Sequence, residues 1–419
     1  MITNNETTPL LGEPSATGQS SSARNSSNRI HFVDNLRAVL TVLLIFHHAA
    51  IFSARDSIRK PNYQNSNLLP LALFITTNKS FLYQSFFFVS GYSIHLALAS
   101  KSDLTFFVSR TLKTGVPALI WLRFRSVLGT RQAEGPGSYV FTLLLFDYIY
   151  LSIRFAGRKW PAISLSRLEA QIKASHRKVL ALTALSFILV TGITIGNCFH
   201  LRLIPFIYRR YYPFEFPGFG NPVAYIIAYI AGVNFPIVKR YILTSRVRVA
   251  VGYLVGSESA AYITLGIAQH LCSDIWEFIK PTFNDEGARY FDNPGLNLQT
   301  IFFSLWSPLA FFLITISLVS VFACAPALQK KWGVLTEHTY LQTFIHMIPI
   351  ALAGHLLSKW SVTDIPVVKA VISASCGVII SWALAIVFVL VRRRYSKHIS
   401  KEDVQTTVRN GSDIEAIGS

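Results

Sequence analysis

Two adjacent histidines, His47 and His48, stand inside a long apolar run, Phe32 to Ala54 (FVDNLRAVLTVLLIFHHAAIFSA). An imidazole set among Leu, Ile and Val loses its hydration, so it needs a partner or a task. Arg37 precedes His48 by eleven residues. At ~100° per residue that is three turns plus roughly 20°, so both side chains share one helix face about 16 Å apart. His47 points about 80° away from that line. One face therefore carries a permanent cation and a titratable base. Two readings stand side by side. In one, the histidine is bonded to a carbonyl and Arg37 snorkels to headgroups. In the other, the pair does chemistry.

Further groups with chemical capacity follow along the chain. Asp34 can cap a helix N-terminus or pair with Arg37 at i, i+3. Arg37 keeps its charge and offers forked donors suited to a phosphate. Ser85 to Leu96 reads SFFFVSGYSIHL. Its Gly91 lets a second helix or a bound chain approach closely, and Ser90 and Tyr92 supply hydroxyls. Arg110, Lys113 and Pro117 form a basic helix bent at its proline, suited to a polyanion or to lipid headgroups. His346, with Thr339 and Tyr340 before it, is a second intramembrane imidazole. Asp147 and Glu258 are ionisable groups inside apolar runs, each a functional candidate by default. One of these acids could pair with His48 or an arginine.

These residues have to be positioned by membrane helices. Of 419 residues, 51% are hydrophobic and only 14% charged, against ~25% in a typical soluble domain. Mean hydropathy is +0.41. The expected architecture is all-α and polytopic, with about ten transmembrane helices. They fall near 36–54, 81–99, 106–124, 138–154, 178–197, 222–240, 248–270, 299–323, 337–357 and 367–391. Leu68 to Thr77 is a shorter apolar run, either interfacial or an extension of the second helix. Polar stretches flank this domain of residues 30–395. Residues 1–29 and 396–419 read as disordered cytosolic tails. No apolar stretch precedes the first span, so no signal peptide is expected.

The formal net charge is +18. The Lys and Arg fall between apolar runs, which points to membrane topology and anionic lipid or cofactor rather than nucleic acid. Basic loops follow spans four, six, eight and ten, whereas Ser273 to Leu298 is acidic, so both termini are assigned to the cytosol. No internal repeat of a transporter kind is visible. Four cysteines without a C-x-x-C signal neither a metal site nor a disulfide framework. Cys198 and Cys272 are read as two apolar thiols, with a disulfide as the alternative. Glu6 to Leu11 (ETTPLL) resembles an acidic dileucine sorting signal for endosomal or vacuolar membranes.

Taken together, Asp34-Asn35-Leu36-Arg37 through His47-His48, FFFxSGY at Phe86 to Tyr92, Arg110 with Lys113 and Pro117, and Tyr340-Leu341 with His346 resemble acyltransferase family 3. These are integral-membrane acyltransferases that modify glycans and other hydroxyl compounds. The resemblance runs over residues 30 to about 395. It departs at Tyr139-Val140-Phe141, where the family often shows Trp-Phe-Leu, and at Lys113, where arginine is usual. It implies an acyltransferase-3-like bundle of ten spans. It also implies a cytosolic acyl-CoA donor, with no permanently bound cofactor, and an acceptor that is often on the far side.

On that footing His48 is expected as general base toward an acceptor hydroxyl, since an imidazole titrates near neutrality. His47 is the rival. Arg37, Arg110 and Lys113 would hold the donor, and Ser90, Tyr92, Glu258 and His346 would line the substrate cavity. A two-step route through an acyl-histidine stays open. The acceptor could be a glycan, a small metabolite or a lipid, with acetyl as the default acyl group. The competing class is a proton-coupled transporter or lipid-handling protein, in which the same ionisable groups relay protons. A third possibility is a family member that has lost activity.

Overall fold

A computed structural model describes residues 31–58, 68–127, 137–160, 175–198, 222–236, 239, 246–271, 298–359 and 365–415. The segment Glu6 to Leu11, Cys272 and most of the acidic Ser273–Leu298 loop lie outside the described residues. What is described is helical throughout, with no strand. In chain order the helices are α1 (His31–Ile58), α2 (Leu69–Ser100), α3 (Asp103–Arg110), a π-helical turn (Thr111–Gly115), α4 (Val116–Val127), α5 (Gly137–Lys159) and α6 (His176–Cys198). Then come α7 (Pro222–Val233), α8 (Val247–Leu271), α9 (Leu298–Cys324), the short α10 (Pro326–Gln329) and α11 (Val334–Glu337), α12 (Thr339–Ile345), α13 (Met347–Ser358) and α14 (Pro366–Glu415).

Each of the ten apolar stretches carries helix among the described residues. By length and composition, four helical segments can cross a membrane: His31–Ser57, Tyr139–Lys159, Ser304–Cys324 and Pro366–Val391. A fifth is added if α12 and α13, bent by 45°, form one broken span. The run from Leu68 to Thr77 extends the second helix: α2 is 32 residues long, roughly 48 Å. Past its apolar part, α14 continues as helix to Glu415, where a disordered tail was expected from residue 396. The residues from Arg392 to Val408 include many helix formers and no proline, so nothing breaks the backbone ladder there.

The central element is α1. It packs chiefly against α14 and α2, and next against α13. Leu36, Leu40, Ile45 and Ala49 are fully buried on it. Its seam with α2 runs through Ala50 and Ala54 against Leu71, Ala72 and Ile75. The apolar centre gathers on Phe87 of α2. That ring stacks on Tyr225 at 4.9 Å and tilts against Tyr139 at 5.0 Å and Phe146 at 5.2 Å. Such ring pairs add about 0.5–1.5 kcal/mol each beyond area burial.

The tightest crossing joins α2 to α7 at Gly91 and Gly232. A Cβ on Gly91 would collide with the Tyr229 carbonyl oxygen, and one on Gly232 with the Phe88 carbonyl oxygen. Without Cβ atoms the two backbones meet directly, which is how helices associate where apolar burial gives no net driving force. Gly91 therefore serves a neighbouring helix.

Proline shapes the third stretch as its spacing predicts. Pro117 lacks an N–H, and its ring clashes with the carbonyl one turn back. The chain answers with the π turn, in which the Val116 N–H bonds to the Thr111 carbonyl. Ser102 caps α3, its Oγ accepting the Thr105 N–H at 3.2 Å. Beyond α9, Asn35 at the start of α1 donates through Nδ2 to the carbonyls of Leu328 and Lys330, both at 2.7 Å. That clamp fixes the α10–α11 connection against the same end of α1 as Arg37.

Candidate active site

The histidines belong to three different environments. His47 is 2% exposed, and its Nδ1 has no hydrogen-bond partner. It lies within electrostatic range of Lys79 on α2. His48 is half-buried, and its Nδ1 stands 3.0 Å from Nε2 of His346. The two rings are nearly parallel, with centroids 5.1 Å apart. His346 itself is fully buried. It occupies the junction between α12 and α13. Pro349 cannot donate to the carbonyl of Ile345, so the helix breaks at this point and the imidazole sits at the bend.

Nδ1 of His346 is buried and makes no hydrogen bond. The 3.0 Å contact joins a protonated nitrogen of one ring to the lone pair of the other, and either ring can be the donor. Where His48 donates from Nδ1, its own lone pair falls on Nε2, on the one of the three imidazoles that is not fully enclosed. An imidazole oriented through one nitrogen and basic at the other is the arrangement a general base requires.

The second cluster lies toward the opposite end of α1. Arg37 pairs with Asp34 at 3.2 Å and donates through Nη2 to Ser93 Oγ at 2.6 Å. Ser93 in turn donates to the Val89 carbonyl at 2.7 Å. Asp34 is not the helix cap, because α1 begins at His31. It sits in the first turn, where a carboxylate also meets the positive end of the helix dipole. The Arg37 side chain keeps 28% of its surface exposed. Continuous helix joins it to His48, so the expected one-face relation along α1 holds, with each residue anchored to a different neighbour.

Arg110 donates through Nε to Asp147 Oδ2 at 2.7 Å. The other oxygen, Oδ1, accepts from the Tyr229 hydroxyl at 2.8 Å. Asp147 is fully buried, and these two bonds are what makes a carboxylate tolerable there. Ser90 shares a hydrogen bond of 2.9 Å with the Tyr139 hydroxyl. That hydroxyl lies within electrostatic range of both Arg37 and Arg110. Tyr340 donates to the Thr114 carbonyl on the π turn at 3.1 Å and also lies within range of Arg110. Two guanidinium groups and two tyrosines thus converge from α1, α3, α5 and α12.

The structure also places the remaining expected site residues. Lys113, on the π turn, is exposed and joins no hydrogen bond or ion pair among the described residues. Ser90 is not a free hydroxyl but is bound to Tyr139. Tyr92 is a packing residue: it is 4% exposed and sits against Phe32 and Phe235, with ring centroids 6.3 and 5.2 Å away. Glu258 is half-buried on α8 near Tyr262, and no hydrogen bond or ion pair joins it to the histidines or arginines among the described residues. His346, expected as a cavity residue, is the partner of His48.

Three participants escape a linear reading: Ser93, Tyr139 and Tyr229. Ser93 follows Ser90 by three residues, which puts both on one side of α2, a signal available in principle. Tyr229 precedes Gly232 by three, but only the Gly91–Gly232 crossing shows what it faces. Among the described residues no three His, Cys, Asp or Glu side chains are arranged to hold a metal ion. No protein-family model, curated protein or solved structure matches this chain.

Proposed function

We propose that this chain is an integral-membrane O-acyltransferase moving an acyl group, acetyl by default, from acyl-CoA to a hydroxyl of a glycan or small metabolite. One observation carries the reading. His48, half-buried on the same helix α1 that bears Arg37, is bonded to the enclosed His346 at the α12–α13 junction. The resemblance to acyltransferase family 3 over the spans agrees with it. The proposal carries with it a ten-span arrangement with both termini cytosolic, in an endosomal or vacuolar membrane.

In this reading Nε2 of His48 takes the proton of the acceptor hydroxyl. The oxygen attacks the thioester carbonyl, the C–S bond breaks, and the proton passes from His48 to the departing thiolate. Ester and free CoA are the products, and no other reactant is needed. His346 holds the ring and shares the positive charge that forms on it. General-base assistance of this kind contributes about 10²–10⁴-fold. The guanidinium groups of Arg37 and Arg110 receive the anionic part of the donor. Lys113, being exposed, contributes only long-range attraction.

A second reading draws on the same histidines. Three neighbouring imidazoles, with His47 and His48 ring centroids 5.8 Å apart, could relay protons for a coupled transporter. One experiment separates the two. Purified protein in lipid nanodiscs receives labelled acetyl-CoA and a panel of hydroxyl acceptors, and the same protein in proteoliposomes is assayed for proton-driven uptake. CoA release lost in His48→Ala and retained in His47→Ala supports acyl transfer. Uptake without CoA release would replace the proposal with transport, and loss confined to His47→Ala would move the base to the neighbouring residue.

A further inference from the structure

We propose that Asp147 is a positioning residue: it holds Arg110 by Nε alone, so that the terminal guanidinium nitrogens are presented to a diphosphate-bearing donor. The inference rests on the acyl-CoA reading and adds to it the residue that aims the cation.

The geometry of the pair carries the argument. An arginine and a carboxylate left to themselves favour the two-pronged arrangement, which satisfies both oxygens with one guanidinium. Here only Oδ2 meets Arg110, at Nε and 2.7 Å. Oδ1 is turned away by the Tyr229 hydroxyl at 2.8 Å. Arginine has five N–H donors. Nε accounts for one, and among the described residues Nη1 and Nη2 make no hydrogen bond. The carboxylate is fully enclosed, whereas the Arg110 side chain keeps 26% of its surface exposed. The closed end of the pair is thus the Asp147 end, and the open end belongs to the arginine. A purely structural tie would have no reason to leave both terminal nitrogens unspent.

Tyr229 is itself held from behind. The Gly91–Gly232 crossing seats its backbone on α2. The glycine of the SGY motif therefore acts on Arg110 through three steps: Gly91 to the Tyr229 backbone, the Tyr229 hydroxyl to Asp147, and Asp147 to Arg110. The Tyr139 and Tyr340 hydroxyls both lie within electrostatic range of the guanidinium. Two donors on one planar fork match the oxygens of a phosphate.

The test is titration of the full chain in nanodiscs with CoA, followed by steady-state transfer. Wild type binds CoA. Asp147→Asn weakens that binding at least tenfold and raises KM for acetyl-CoA, with kcat changed by less than about threefold. Tyr229→Phe, which removes a single hydroxyl, does the same to a smaller degree and carries the test if Asp147→Asn fails to fold. In an Arg110→Gln background, Asp147→Asn has no further effect on CoA binding, because the carboxylate acts through the guanidinium. Equal CoA binding by wild type and both Asp147→Asn and Tyr229→Phe overturns the inference while leaving the donor reading intact. Independent losses from Asp147→Asn and Arg110→Gln overturn it as well. Absence of CoA binding by wild type overturns the donor reading itself.

Discussion

Gly91 rests on the backbone carbonyl of Tyr229, and no side chain fits between them. A methyl group at either glycine of this crossing must push α2 and α7 apart. Gly91→Ala and Gly232→Ala are expected to cost at least about 1–3 kcal/mol, the range for overpacking a close contact. Gly252 and Gly256 on α8 are internal controls, since an added Cβ there meets nothing within 4 Å. Thermal unfolding of the purified protein should place the first two variants below wild type and leave Gly252→Ala and Gly256→Ala at or above it. Equal midpoints for all four would mean that α2 and α7 are not in direct contact.

Removing His346 should slow transfer without abolishing donor binding. In the acyl-transfer reading, His346→Ala leaves Nδ1 of His48 without its hydrogen-bond partner, so the ring loses what orients it. The expected result is a fall in kcat of about 10-fold or more, smaller than the 10²–10⁴ expected of His48→Ala. CoA affinity should stay within twofold of wild type, since the pair lies about 16 Å along α1 from Arg37. A kcat unchanged in His346→Ala would show that His48 needs no partner.

Asn35 should govern the order of the segment after α9. Its amide satisfies the carbonyls of Leu328 and Lys330 from a fully buried position. Asn35→Ala removes both bonds; Leu328 is half-buried and Lys330 exposed, so water can reach the freed carbonyls and the cost should be about 0.5–1.5 kcal/mol for each bond. Hydrogen exchange across residues 325–337 should quicken in the variant, with α9 itself unaffected. Unchanged exchange in that segment would assign its order to other contacts.

Lys369 and Asp56 form an ion pair between α14 and α1 with unequal ends: the lysine side chain is 6% exposed and the aspartate 41%. Asp56→Ala leaves an enclosed ammonium unpaired. Its cost should fall between the ~1 kcal/mol of an exposed pair and the ~3–5 kcal/mol of a buried one. The double variant Asp56→Ala, Lys369→Met should recover most of that loss, because it removes the stranded charge. Unfolding midpoints of the two variants decide the matter: a double variant less stable than the single one would show that the lysine has other roles at this position.

Residue spacing alone reads out what happens within a helix. The apolar stretches, the shared line of Arg37 and His48, the Asp34–Arg37 pair, the break at Pro117 and the importance of Gly91 all follow from local chain geometry, since 3.6 residues per turn determines which neighbours meet. Contacts between helices were decided by tertiary structure. His48 meets His346 across 298 residues, Arg110 meets Asp147 across 37, and Asp147 meets Tyr229 across 82. A soluble helix advertises its inner face by contrast with a polar outer one. Helices that are apolar nearly all round, such as α7 and α9, carry no such contrast. Their rotation and their neighbours come from small residues that allow close approach and from polar groups that must find partners inside, and those choices exist only once all the helices are assembled.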